Sequence, residues 1–168
     1  MRFSGGADFM KKQLCVIVAA VLMLLMMSCA MAEQTVRLPE SSYRLTLPDG
    51  MEYDGPGQGS DDARFAYVSA SLGLEIDFFL HDRKGAGLEE MADIMRDQGM
   101  DAAIYRISGI EMIVYRVSDP GDPPEKGMKC VGYVLTDGAH IQELCFWYAN
   151  QKAADLTATI INSITDKD

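Results

Sequence analysis

The sequence predicts an α+β fold: an antiparallel sheet of six to eight strands with helices packed on it as an α/β/α sandwich, behind an N-terminal signal peptide. Three observations carry this reading. Short alternating stretches recur in pairs around Gly-containing turns. Two stretches, 88–98 and 151–164, repeat apolar residues at helical spacing. Some strands are apolar on both faces and so need cover on both.

The chain opens with an export pattern. Lys11 and Lys12 precede Leu14 to Met27, a run without a charged residue. A positive segment, a short apolar core and then small residues make up a secretory signal. The run falls short of the roughly 20 apolar residues of a membrane span. Ala30-Met31-Ala32 supplies small side chains at the two positions a signal peptidase inspects, so cleavage is expected after Ala32. A second exit is open: Ser28-Cys29 resembles a bacterial lipoprotein signal, with Met26 where leucine is usual, and would make Cys29 a lipidation site. Met10-Lys11-Lys12 is an ordinary signal start, which points to Met10 as the initiating residue. The expected division is therefore 1–32 as signal peptide and 33–168 as one domain.

Within 33–168 the elements follow in order. Thr35 to Leu38 reads as an edge strand. Tyr43 to Leu47 alternates and stops at Pro48-Asp49-Gly50, a turn cluster, and Met51 to Tyr53 starts a short strand. Asp54 to Asp62, rich in Gly and Asp, reads as a loop. Arg64 to Ser71 and Leu74 to His81 form a hairpin around Leu72-Gly73. In its second strand Leu74, Ile76, Phe78 and Leu80 share one face; Glu75, Asp77, Phe79 and His81 share the other.

Leu88, Met91, Ala92 and Met95 follow the 0, 3, 4, 7 spacing of a helix over 88–98, with Gly99 as its stop. Ala102 to Ile107 and Ile110 to Val117 pair around Ser108-Gly109. The Pro-rich stretch 118–126 is a loop. Met128 to Thr136 and His140 to Tyr148 make the last hairpin. Asn150 caps a helix over 151–164 whose Ala153, Leu156, Ile160 and Ile164 face the core.

Composition narrows the function. Removing Arg2, Lys11, Lys12 and Asp8 from 15 basic and 25 acidic residues leaves 12 against 24, a net charge of −12. Nucleic acid and anionic lipid surfaces both call for clustered Lys and Arg, so neither is expected as a partner. No membrane span is expected once the signal is removed.

Cys130 and Cys145 are the cysteines outside the signal. If Asp137-Gly138 is a two-residue type I′ turn, partner numbers sum to 275 and the two cysteines stand directly opposite. A disulfide and a pair of buried thiols are both open.

Catalytic and metal patterns are weak. Glu75, Asp77 and His81, with Asp82 beside them, offer oxygen and imidazole ligands, but Phe79 interrupts the series and the span is about 20 Å. The group reads as a solvated face, and no cofactor or metal is expected. The 54–62 loop lacks the ligand order of an EF-hand, and its glycines form neither a Walker loop nor a dinucleotide turn. Ser60, Ser69, Ser108 and Ser118 lie outside a G-x-S-x-G setting. Phe146, Trp147 and Tyr148 are consecutive aromatics that reach both sheet faces; they are either an interface or core under the last helix.

Three segments carry a resemblance: Tyr43-Arg44-Leu45-Thr46-Leu47-Pro48-Asp49-Gly50, a strand entering an "lPdG" turn; Ile107-Ser108-Gly109-Ile110-Glu111, an "InGi"-type hairpin; and the closing Ile160-Ile161-Asn162-Ser163-Ile164. With the order of elements they resemble the Mog1/PsbP-like family of small α/β/α domains. The resemblance implies a binding or accessory module that docks on a larger partner, with no shared catalytic motif. The long basic stretch some members dock with is missing here, so no particular partner carries over. The expected function is an exported, non-enzymatic binding or accessory module of the bacterial cell envelope; the alternative is a small secreted hydrolase.

Overall fold

A computed structural model describes residues 33–55, 65–82, 85, 87–117 and 127–166. The signal segment, with Met10, Cys29 and the cleavage position after Ala32, lies outside the described residues. So do most of the Gly/Asp loop and the Pro-rich loop.

Seven antiparallel strands form the main sheet. They are β3 (Glu52–Tyr53), β4 (Phe65–Ser69), β5 (Leu74–Asp82), β6 (Asp101–Ile107), β7 (Ile110–Arg116), β8 (Lys129–Thr136) and β9 (His140–Tyr148), in the order β3-β4-β5-β9-β8-β7-β6. The sequence predicts one sheet of six to eight strands, with Thr35 to Leu38 as an edge strand. Instead β1 (Gln34–Arg37) and β2 (Tyr43–Leu47) separate from it and form a small sheet with β10 (Thr165–Asp166), a strand the sequence reading missed. The reason is burial. Val36, Tyr43, Leu45 and Leu47 pack flat onto the main sheet and join its core cluster, which an edge position would not allow.

Both helices form where spacing and caps place them. Helix α1 (Leu88–Asp97) ends in a Schellman arrangement: Met100 N–H bonds the Met95 carbonyl and Gly99 N–H the Arg96 carbonyl, with Gly99 at φ +85°. Helix α2 (Gln151–Asn162) starts at Asn150, whose side chain accepts the Ala153 N–H at 3.0 Å. Its buried residues are Ala153, Thr157, Ile160 and Ile161; Leu156 is half-buried, and Ile164 is buried just beyond the helix.

The two helices cover opposite faces. On the face carrying Leu144 and Phe146, α2 and the small sheet close over Leu74, Ile76, Phe78, Met112 and Leu135. Gln142 sits in that face and its Nε2 donates to the Pro39 carbonyl at 2.8 Å, tying down the β1–β2 turn. On the face carrying Cys145 and Trp147, Ala92 of α1 packs with Ile113, Val134 and Ile141. The layering is thus that of an α/β/α sandwich, with Met112 and Ile113 buried on opposite sides of one strand.

The turns decide register. Ser108 and Gly109, at φ +50° and +84°, make a two-residue loop that pairs Ile107 with Ile110 as expected. The β8–β9 loop is longer than expected. The Asp137 carboxylate accepts the N–H groups of Ala139 and His140 at 2.9 and 2.7 Å, drawing both amides out of the ladder. Thr136 therefore pairs with Ile141, and partner numbers sum to 277 rather than 275.

Candidate functional site

That register sets the cysteines. Cys130 pairs with Trp147, and Cys145 with Gly132. A slip of two residues keeps both side chains on one face but makes them diagonal neighbours, correcting the expected direct opposition. Both are buried free thiols.

Around them the Trp147 face carries an unusual number of polar groups. The row Tyr115–Gly132–Cys145–Asp77 crosses β7, β8, β9 and β5. Gly132 makes the row work. A Cβ there would lie 2.0 Å from Tyr115 Cζ, so the missing side chain is the space the tyrosine ring fills. Lying across Gly132, the ring brings its hydroxyl to Glu143 Oε1, to which it donates at 2.5 Å, and to Cys145 Sγ at 3.1 Å. The other carboxylate oxygen, Oε2, lies 2.8 Å from His81 Nε2, and the His81 ring stacks on Phe79 at 6.2 Å. Asp77 stands next in the row, with Oδ2 accepting the Trp147 indole N–H at 2.9 Å and Oδ1 buried without a partner among the described residues.

The electrostatics follow from burial and these bonds. Burial pushes the Glu143 carboxyl up, but hydrogen bonds from His81 and Tyr115 outweigh it and hold the group below its usual range, ionised. Burial, reinforced by the negative charge of its neighbours, drives the Tyr115 phenol far above its ordinary value. The bond with Cys130 and burial push the Cys145 thiol well up. Both the phenol and the thiol are thereby held neutral. Burial also raises the Asp77 carboxyl, against the opposing bond from Trp147.

The structure sorts the sequence candidates accordingly. Glu75, Asp77 and His81 do share a face, but it is not simply solvated: Asp77 is 3 % exposed. Among the described residues no three His, Cys, Asp or Glu side chains gather as metal ligands. Phe146 is core, while Trp147, held by Asp77, and Tyr148 are half-buried. Tyr115 and Gly132 were missed. The available signal was a lone glycine in the strand Val131-Gly132-Tyr133, which marks a close approach.

An exposed aromatic surface lies elsewhere. Tyr53, 62 % exposed on the β3 edge, meets Tyr67 at 5.6 Å and Phe65 at 6.0 Å, and Phe65 stacks on buried Phe78 at 4.7 Å. These four rings form a ledge where the main sheet ends. A shallow groove of about 140 Å³ between Pro48 and the Leu156–Thr159 side of α2 is smaller than the roughly 300 Å³ at which ligand pockets begin.

No family model and no curated protein matches the chain. Solved structures do. The solution structure of cyanobacterial PsbP (CyanoP) from Synechocystis sp. PCC 6803 superposes with a TM-score of 0.56 at 12 % identity, over 80 % of this chain and 92 % of that one. A crystal structure from Bacteroides thetaiotaomicron VPI-5482 gives 0.57 at 11 % identity over 82 % of this chain, which spans half the length of that protein. At these identities the likeness is one of architecture, and the architecture is a PsbP-like fold.

Proposed function

We propose that the chain is an exported accessory module of the bacterial cell envelope, acting by binding another envelope component and not by catalysis. The observation that carries this reading is the aromatic ledge. Tyr53, Phe65 and Tyr67 present rings at a sheet edge, with Phe78 beneath as a rigid support. Tyrosines held this way are common anchors of protein interfaces because they bury much area for little lost rotamer freedom. The PsbP-like fold fits an accessory role, and the leader pattern of Lys11 to Ala32 fits export. The neutral Cys145 and Tyr115 fit better with support of the sheet than with chemistry.

The test compares wild type with Tyr53→Ser after cross-linking in intact cells. Wild type is expected in the extracytoplasmic fraction, joined to one recurring envelope component. Tyr53→Ser should keep the fold and lose at least about tenfold of that product, since a hot-spot aromatic contributes about 2 kcal/mol or more. Cytosolic residence of the uncleaved chain, or cross-linking indifferent to Tyr53, would refute the reading.

A further inference from the structure

The outer face of the small sheet has a charge pattern of its own. Arg37 of β1 and Arg44 of β2 are direct cross-strand partners, both exposed, and Thr165 of β10 continues the row beyond Arg44. Opposed residues in an antiparallel pair have Cβ atoms about 4.5–5.5 Å apart, and like charges there are destabilising. The other arginines among the described residues are paired with carboxylates: Arg96 with Asp93 at 2.8 Å, Arg106 with Glu111 at 3.0 Å and Arg116 with Asp101 at 3.8 Å. Among the described residues neither Arg37 nor Arg44 has such a partner, in a chain with 25 acidic residues against 15 basic. Arg37 Nε donates to the Ser41 carbonyl at 2.5 Å, which fixes the stem and leaves the two terminal nitrogens for other acceptors. Thr35 and Thr46 form the neighbouring row of the same face. Asp166, the acid nearest in the sheet, pairs with Tyr43 on the other side and takes the Ser42 hydroxyl.

We propose that Arg37 and Arg44 form a binding site for a phosphate monoester. Two cross-strand arginines on one face offer planar guanidinium forks that match phosphate oxygens. A monoester carries a charge of roughly −1.5 to −2 near neutral pH and neutralises both, whereas a carboxylate or a phosphodiester neutralises one. The hydroxyls of Thr35, Thr46 and Thr165 border the pair and supply further donors. The site is independent of the aromatic ledge, so either can fail without the other.

Inorganic phosphate is the probe, titrated into the ¹⁵N-labelled protein at constant ionic strength. Saturable shifts are expected for the amides of Thr35, Arg37, Arg44 and Thr165, with affinity about tenfold above that for acetate. Arg37→Gln/Arg44→Gln should lose at least about tenfold in phosphate affinity while the other amide resonances stay in place. Should that variant misfold, Arg44→Lys keeps the charge, loses the fork and should weaken binding several-fold. Equal, unsaturable shifts from phosphate, acetate and chloride would reduce the pair to simple screening and overturn the proposal. Phosphate affinity unchanged in the arginine variants would do the same. Arginine-dependent retention on phosphatidylglycerol vesicles matching that of phosphate would overturn the monoester assignment in favour of a diester.

Discussion

Phe146 and Trp147 are neighbours in one strand, and the two sheet faces they enter are built on different terms. The Phe146 face is a broad apolar core. Leu74, Ile76, Phe78, Leu135, Leu144 and Phe146 lie under α2 and the small sheet; of its buried polar side chains, Gln142 anchors a turn and Thr157 donates to the Ala153 carbonyl at 3.1 Å. The Trp147 face buries a carboxyl at Asp77 and encloses Tyr115, Glu143 and two thiols under partial cover. Apolar burial stabilises in proportion to area. Buried polar groups stabilise little on balance and cost a great deal if one partner is lost. One face therefore holds the fold together, and the other depends on geometry being kept.

The largest effect should come from the Phe146 face. Phe146 is fully buried and meets Tyr133 edge-on at 5.5 Å. Phe146→Ala should cost about 3–5 kcal/mol, the range for a large aromatic removed from a core that cannot collapse around the cavity. Urea denaturation measures it. A loss below that of Gly132→Ala would break the comparison.

Gly132→Ala tests the other face. The new Cβ would coincide with the Tyr115 ring, which must swing away from Glu143 and Cys145. Overpacking of this kind costs about 1–3 kcal/mol. The cost should nearly vanish in a Tyr115→Ala background, because the clash has then been removed; a double-mutant cycle reads this coupling. Additive losses would mean that Gly132 matters for strand backbone alone.

The same contrast explains what could be read from the sequence. Apolar periodicity and caps are local signals, so Leu88, Met91, Ala92 and Met95, the Asn150 cap and the Ser108-Gly109 turn were all legible. Polar burial is not local. Glu75, Asp77 and His81 alternate as a solvated face would, and nothing in that strand reveals that Trp147, four strands later in the chain, reaches across to Asp77. The cysteine register failed for a similar reason: one carboxylate, Asp137, captured two amides and lengthened the turn. The small sheet escaped notice because β10 is two residues long and pairs with Arg44 and Tyr43 from the far end of the chain.

Asp77→Asn should give the smallest and most diagnostic change. Asn keeps an oxygen to accept the Trp147 N–H, so the contact in the structure survives. What changes is the titration. The Asp77 carboxyl is raised in the folded chain, chiefly by burial, so its favourable contribution is complete below the unfolded value of about 3.9 and is lost as pH rises through the folded value. Wild type and Asp77→Asn should therefore run parallel at acid pH, and the variant should gain on wild type as pH rises to neutral, by about 1 kcal/mol or less. Trp147 is the sole tryptophan, so its fluorescence follows the same event in the native protein. A wild-type fluorescence titration that persists unchanged in Asp77→Asn would assign the pH response to a group other than Asp77. Wild type gaining on Asp77→Asn as pH rises to neutral would show that the carboxylate is stabilised in the fold, and would remove the main electrostatic distinction between the two faces.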